Sequence, residues 1–263
     1  MDFTSKAFRA VASSWLVMAF IGQMIFAFYI LMFYGGTTAS GKLEQWNHSG
    51  QEFYLKGDLM GNIIFALHVL MAFIVTIFGP FQLISGIRKL LPKWHRWSGR
   101  IYILSAFLIS VDGLYLSWVR GSAGGLQGSV LISFNAIIIL VCAYFALTTA
   151  LKGEFQKHKK WVLHLYAGMS GVWFFRVFLM AWLGFWRAPV GFDPETFTGP
   201  FLIFLSLMVY VFPQLVVWCY FFAKESGSKV MKLGFTGFLS MILLIMIFGT
   251  FSATFGLWLP RLM

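Results

Sequence analysis

Residues 10–33 read AVASSWLVMAFIGQMIFAFYILMF and carry no charged side chain. A helix needs about 20 consecutive apolar residues to cross the hydrocarbon core of a bilayer, which is about 30 Å thick. The apolar core of a secretory signal peptide is shorter, at about 7–15 residues, and a small-residue cleavage site follows it. The segment is therefore predicted to be a retained transmembrane helix.

The composition of the whole chain indicates that this segment is one of many. Of the 263 residues, 59% are hydrophobic, 19% are aromatic and only 11% are charged, whereas a soluble domain has about 25% charged residues. Apolar runs recur along the sequence, and no polar region is long enough to form a soluble domain. We therefore predict an all-α, polytopic membrane bundle that occupies residues 1–263 as a single domain.

The apolar runs and the turn residues between them predict seven transmembrane helices. Their expected bounds are 10–34, 61–87, 98–119, 129–151, 161–186, 200–223 and 233–258. We expect residues 61–186 to form a central bundle and the other three helices to flank it.

The lysine and arginine residues of the loops predict the orientation of the bundle in the lipid bilayer. With a cytoplasmic amino terminus, fourteen of them lie on the cytoplasmic side and five on the other. The fourteen are Lys6, Arg9, Arg88, Lys89, Lys93, Arg96, Arg100, Lys152, Lys157, Lys159, Lys160, Lys224, Lys229 and Lys232, and the five are Lys42, Lys56, Arg120, Arg187 and Arg261. Because short cytoplasmic loops carry the excess of positive charge, we predict an N-in, C-out protein of the bacterial inner membrane. The same loops account for the net charge of +11 without a nucleic-acid partner.

Three ionisable side chains are predicted to lie at membrane depth: His68, Asp112 and Arg176. Such groups are costly in lipid and normally face a bundle interior, a partner or a cavity. Their distances from the helix ends place them at similar depths, so we predict a structural ion pair between Asp112 and Arg176. The alternative is a polar pocket in which the planar guanidinium of Arg176 binds an acidic group, such as a haem propionate.

A second group of polar residues is expected at the cytoplasmic ends of the helices. It contains His95, His158 and His164, with Arg96 and Arg100 close to the first histidine in sequence. Because neutral imidazole is a good ligand for haem iron, we predict that His95 and His164 ligate a b-type haem, with His158 as the alternate ligand. Arg96 and Arg100 would then bind its propionates. The alternative is that these residues anchor helix ends at the membrane interface without any chemistry.

Several of these residues belong to a longer pattern. It consists of Gly79-Pro80-Phe81-Gln82, then His95-Arg96-x-x-Gly99-Arg100-x-Tyr102, then His158-x-x-Trp161, Tyr166 and Arg176. The pattern resembles the bacterial membrane proteins of the domain-of-unknown-function 2306 family, over residues 60–185. This resemblance implies a polytopic bacterial membrane protein and no particular activity. His164 departs from the family pattern, which has arginine there. The chain also has a looser architectural likeness to transmembrane b-type cytochromes.

Three hypotheses for function remain open. The first is electron transfer through the haem, to or from quinone or a partner subunit. The second is a non-redox transport protein that binds a ligand or proton at His68, Asp112, Arg176 and Gln214. The third is an accessory or structural subunit of a larger membrane complex. The sequence shows no arrangement of residues that is typical of nucleophilic catalysis.

Overall fold

The computed structural model describes residues 3–49 and 51–263. Within these ranges the chain is all-helical, with 85% helix and no strand. The predicted all-α fold class is therefore confirmed.

Eight long helices form the bundle. They are α1 (Phe3–Ala39), α2 (Leu59–Leu83), α3 (Pro92–Arg120), α4 (Gly125–Leu151), α5 (Phe155–Met169), α6 (Gly171–Trp186), α7 (Pro200–Glu225) and α8 (Lys229–Arg261). Six of them are each long and apolar enough to cross a membrane, and α5 with α6 makes a seventh if that bent pair is one span. Each of the seven predicted helices has a counterpart here, so the polytopic membrane fold is confirmed.

The region between α2 and α3 differs from the prediction. The second predicted helix runs to residue 87, but α2 ends at Leu83, where Ile84 adopts an extended conformation. A short helix, Ser85–Leu90, follows, and α3 begins at Pro92 rather than at residue 98. Proline is favoured in the first turn of a helix because its missing N–H is not needed there. The first turn is polar, so hydropathy could not predict it. The helix therefore begins before the apolar run does.

The fifth predicted helix, 161–186, is two helices bent by 50° on either side of Ser170. The Ser170 hydroxyl donates to the Tyr166 carbonyl oxygen at 2.7 Å and accepts a hydrogen bond from Gln23 Nε2 at 2.8 Å. A side chain that inserts into the helical hydrogen-bond pattern is a common cause of a sharp kink. The break therefore turns Ser170 towards α1.

The two largest of three clusters of buried side chains in the described residues hold most of the helices together, and the third joins α5 to α7. The larger joins α1, α6, α7 and α8 around Trp173, Val177 and Met246. The smaller joins α2, α3, α4 and α5 around Tyr102 and Leu165. α6, which we predicted to belong to the central bundle, therefore shares its core with α1 and the last two helices.

The loops collect at two ends of the bundle. At the first, Lys160 on α5 and Glu225 on α7 form an ion pair at 2.7 Å, and Arg88 lies within electrostatic range of Lys159. We call this the basic end. At the second, Arg120 on α3 forms an ion pair at 2.9 Å with Asp58 of the connector before α2. We call this the capped end.

Candidate functional site

A cavity of about 160 Å³ lies within the bundle between α1, α2, α3, α5 and α6. We call it the central cavity. Its apolar wall includes Phe26, Ile30, Phe65, Val69, Ala72, Val75 and Trp173, and its polar lining includes Gln23, Tyr34, His68, Thr76, Tyr102, Tyr166, Ser170 and Arg176. A mostly apolar pocket with a few convergent polar groups is the usual form of a small-molecule site.

His68 enters this cavity as half of a hydrogen-bonded pair. Its Nδ1 atom lies 2.7 Å from Oδ1 of Asp112, and the two side chains are 30% and 16% exposed. Gly113 makes room for the ring, since a Cβ atom there would lie 3.3 Å from His68 Cε1. A carboxylate that accepts the Nδ1 proton fixes the tautomer and leaves Nε2 as an acceptor. When the imidazole is neutral, Nε2 is therefore the nitrogen that can accept a hydrogen bond, and Asp112 itself does not line the cavity.

Arg176 does not form the expected ion pair with Asp112, whose partner is His68. Its Nη1 donates to the Val172 carbonyl oxygen at 3.1 Å, and its guanidinium lies 5.4 Å from the centroid of the Phe26 ring. A guanidinium has five N–H donors. Because this hydrogen bond uses one of them, Arg176 retains donors for a ligand in the central cavity.

At the wall of the central cavity, a chain of hydrogen bonds joins α1 to the break between α5 and α6. The Tyr166 hydroxyl donates to Gln23 Oε1 at 3.2 Å, and Gln23 Nε2 donates to the Ser170 hydroxyl. We did not predict Gln23 or Ser170 as site residues. The available signal was that Gln23 is the one amide side chain in the apolar run 10–33, and a polar group in such a run requires a partner.

Tyr102 provides a further donor. The residue is 2% exposed, and its hydroxyl has no hydrogen-bond partner among the residues that the structure describes. An unpaired buried polar group costs about 1–3 kcal/mol. Tyr102 lines the central cavity, and an acceptor bound there would relieve this cost if the side chain turned its fully buried hydroxyl towards the ligand.

Most of the polar lining falls in the part of the chain that matches a protein family. The family model described as a predicted membrane protein (DUF2306) matches residues 65–199, just over half of the 263 residues. The chain belongs to the DUF2306 family. The matched region contains His68 and Arg176, whereas Gln23 lies outside it, and the resemblance predicted over residues 60–185 is confirmed. No curated protein and no solved structure matches the chain.

In this DUF2306 protein, the connector before α2 closes the capped end above the cavity. Phe53, which lines the cavity, stacks on Phe65 with ring centroids 4.6 Å apart. Arg120 holds the connector in place, because Nη1 donates to the Phe53 carbonyl oxygen at 2.8 Å, Nε to Asp58 Oδ2 at 3.0 Å and Nη2 to Asn62 Oδ1 at 2.8 Å. The Arg120 side chain is only 7% exposed. It is therefore a buried polar anchor of this cap, beside Asn62, which bonds to both the N–H and the carbonyl oxygen of Leu55.

The three histidines near the basic end have separate hydrogen-bond partners. His158 Nδ1 lies 2.8 Å from the Ala146 carbonyl oxygen, and His164 Nδ1 lies 2.8 Å from Gln214 Oε1 on α7. His95 lies within electrostatic range of His158, and its buried Nδ1 has no hydrogen-bond partner in the described ranges. The partners of His158 and His164 thus lie on different helices, α4 and α7.

Arg96 and Arg100 lie exposed at the basic end. The guanidinium of Arg100 lies 5.2 Å from the centroid of the Trp97 ring, a pairing typical of residues that anchor a helix at the membrane interface. Across residues 3–49 and 51–263, no group of three or more His, Cys, Asp or Glu side chains could hold a metal ion. The role of these arginines as propionate partners stays a prediction.

Proposed function

We propose that this integral membrane protein binds the ring of a quinone or quinol in its central cavity. The observation that carries the proposal is the set of polar groups on that one cavity: the basic nitrogen of His68, the guanidinium of Arg176 and the unpaired hydroxyl of Tyr102. Two of them are donors and one is an acceptor. They match a ligand with oxygen atoms at two positions of an apolar ring.

The size of the cavity supports a single ring. An apolar cavity of about 150 Å³ holds one benzene molecule, and the central cavity has about 160 Å³. Pockets for larger ligands and cofactors have about 300–1,000 Å³. A one-ring head group therefore fits better than a haem macrocycle, and its flat faces would pack between Phe26 and Phe65.

The donors and the acceptor favour an uncharged ring with oxygen substituents. In the reduced ligand, a quinol hydroxyl would donate to Nε2 of His68, because Asp112 holds the proton on Nδ1. In the oxidised ligand, a carbonyl oxygen would accept from Arg176 or Tyr102. The paired Asp112 would stabilise the imidazolium if the quinol gave up its proton. These groups favour a ligand- and proton-binding site over a purely structural clasp.

Equilibrium binding of a tail-less benzoquinone and its quinol to the purified full-length protein tests this proposal. Arg176→Gln is expected to lower affinity roughly 10- to 100-fold, and Tyr102→Phe roughly two- to tenfold, since hydrogen bonds from charged donors are the stronger. The matched controls are Arg187→Gln and Tyr144→Phe, which alter exposed residues away from the cavity. Absence of saturable binding, or equal losses in the controls, contradicts the proposal.

A second candidate is a b-type haem near the basic end, favoured by the buried Nδ1 of His95, which has no partner among the described residues, and the anchored Nδ1 of His158. His158 has the anchored Nδ1 that is typical of an iron-ligating histidine. Its test is the visible spectrum of gently purified protein, oxidised and reduced, with haem quantitation. A stoichiometric b-type spectrum that is lost in His95→Ala supports the haem, and electrons could then pass between it and the quinone. A flat visible region in cofactor-replete protein contradicts the haem and leaves the quinone site unaffected.

A further inference from the structure

A second, larger cavity of about 1030 Å³ runs between α5, α6 and α7 on one side and α1 and α8 on the other. We call it the groove. It exists because α7 packs mainly against α4, α5 and α6, whereas α8 packs against α1 and α6. Its walls are almost wholly apolar and rich in aromatic rings, among them Trp15, Phe174, Phe178, Phe238 and Phe248.

The groove has the length of a membrane leaflet or more and is open to lipid. It extends from Lys159 on α5 to Phe185 on α6, which is roughly 39 Å of helix at about 1.5 Å per residue, before the shortening caused by the 50° bend between the two helices. The hydrocarbon core of a bilayer is about 30 Å thick. Its rim residues Phe204 on α7 and Leu244 on α8 are 58% and 68% exposed. A flexible hydrocarbon chain can therefore enter from the side, between α7 and α8.

The lining of the groove changes from apolar to positively charged at the basic end, where Lys159 lines it. Lys224 and Arg88 lie within electrostatic range of Lys159. The Lys224 ammonium lies 5.8 Å from the centroid of the Tyr220 ring and 6.0 Å from that of Phe221, and both rings line the groove. Two ammonium groups thus face the mouth of an apolar channel. We call Lys159 and Lys224 the groove lysines.

The carboxylates near this end are paired with other lysines. Glu154 pairs with Lys157 at 3.0 Å, and Glu225 pairs with Lys160 at 2.7 Å. The second pair lies at the same mouth, since the Lys160 ammonium lies 5.2 Å from the centroid of the Phe221 ring, but it carries no net charge. The ion pairs found in the described ranges include neither of the groove lysines, so two positive charges remain where an apolar chain would end.

We infer that the groove holds one phospholipid with an anionic head group, its phosphate between the groove lysines and its acyl chains along the aromatic walls. Lysine binds phosphate as a compact point charge. A basic residue close to an anionic lipid contributes about 1 kcal/mol, which is roughly fivefold in affinity. A zwitterionic lipid carries the same phosphate but would gain less, because the groove lysines repel its ammonium group, and a lipid without phosphate would gain nothing from them. This inference does not depend on the ligand of the central cavity.

Native mass spectrometry of the full-length protein in mild detergent tests the inference, with phosphatidylglycerol or phosphatidylcholine added at equal concentration. We expect stoichiometric retention of phosphatidylglycerol over phosphatidylcholine. Lys159→Gln with Lys224→Gln is expected to reduce phosphatidylglycerol affinity roughly 25-fold, since two basic contributions are lost. Lys159→Arg with Lys224→Arg is expected to keep at least a third of the affinity. The matched control is Lys152→Gln with Lys157→Gln, which removes the same charge at the same end outside the groove.

The outcomes separate a groove lipid from general attraction to a basic surface. Equal loss in the control and in the groove-lysine variant overturns the inference, as does equal retention of the two lipids by the unaltered protein. Ala181→Phe adds bulk to the groove wall far from the lysines, and it should lower the retention of both lipids. If Ala181→Phe leaves retention unchanged in protein that keeps its helical content and its size-exclusion profile, the acyl chains do not lie in the groove.

Discussion

His68 on α2 and Asp112 on α3 are joined by a contact of 2.7 Å between Nδ1 and Oδ1, although only His68 lines the central cavity. Asp112 would therefore act on a ligand in this cavity only through His68. Its expected influence is on which imidazole nitrogen carries the proton, and through that on whether the ligand meets an acceptor or a donor.

Asp112→Asn tests this influence by keeping the shape of the side chain and removing its charge. An amide can donate to Nδ1, which would place the imidazole proton on Nε2. A quinol hydroxyl then meets a donor, whereas a quinone carbonyl meets a suitable partner. We expect quinol affinity to fall about tenfold and quinone affinity to change less than twofold, a difference of one hydrogen bond. Equilibrium binding of the quinone and of the quinol to the variant measures these two changes in affinity.

The control for this split is Asp193→Asn, in an exposed turn between α6 and α7. It should leave both affinities unchanged. An equal loss for quinol and quinone in Asp112→Asn would mean that Asp112 only holds the helices together.

Arg120→Gln is expected to free the connector at the capped end. The side chain donates to the Phe53 carbonyl oxygen, Asp58 and Asn62, and the partial exposure of Asp58 limits the contribution of the ion pair itself. Losing several anchoring bonds favours local opening, so limited proteolysis within residues 51–58 should accelerate roughly tenfold or more. Arg187→Gln, at an exposed arginine, should leave the cleavage rate unchanged. Cleavage at the wild-type rate in Arg120→Gln would show that the aromatic contacts and the hydrogen bonds of Asn47 and Asn62 hold the cap without Arg120.

Gln23→Leu is expected to destabilise the protein. The amide joins the Tyr166 hydroxyl to the Ser170 hydroxyl at the break between α5 and α6, and its loss leaves buried polar groups with fewer partners. The cost of such a group is about 1–3 kcal/mol, measurable as a lower free energy of unfolding in mixed micelles. Met24→Leu, at the next position, preserves volume and should cost less than about 1.5 kcal/mol. A Gln23→Leu protein as stable as the wild type would mean that water satisfies these groups.

The membrane fold could be predicted because it depends on the length of apolar runs, which the sequence states directly. The same reasoning located His68, Asp112 and Arg176 as ionisable groups inside the bundle. It did not identify the partner of Asp112. Depth along a helix follows from residue number, whereas the direction of a side chain around the helix depends on packing, and here α3 turns Asp112 towards α2.

The break at Ser170 could not be predicted from hydropathy, because the apolar run continues through it. It depends on a hydroxyl that bonds both to its own helix and to Gln23 on α1, a contact between residues 147 positions apart. The partner of His164 could not be predicted for a similar reason. It is Gln214 on α7, 50 positions away in sequence, and the pairing of His95 with His164 as haem ligands stays a prediction.

Gly249→Ala is expected to separate α6 from α8. A Cβ atom at Gly249 would clash with the carbonyl oxygen of Val177, which is backbone and cannot rotate away. Small residues at helix contacts allow such close approach in membrane proteins, so the substitution should lower the free energy of unfolding by about 1–3 kcal/mol. Gly237→Ala on the same helix is the matched control, because no atom lies within 4 Å of its added methyl group. That variant should be neutral or more stable by up to about 1 kcal/mol, the difference in helix propensity between glycine and alanine. Equal effects at the two positions would mean that α6 and α8 do not pack through Gly249.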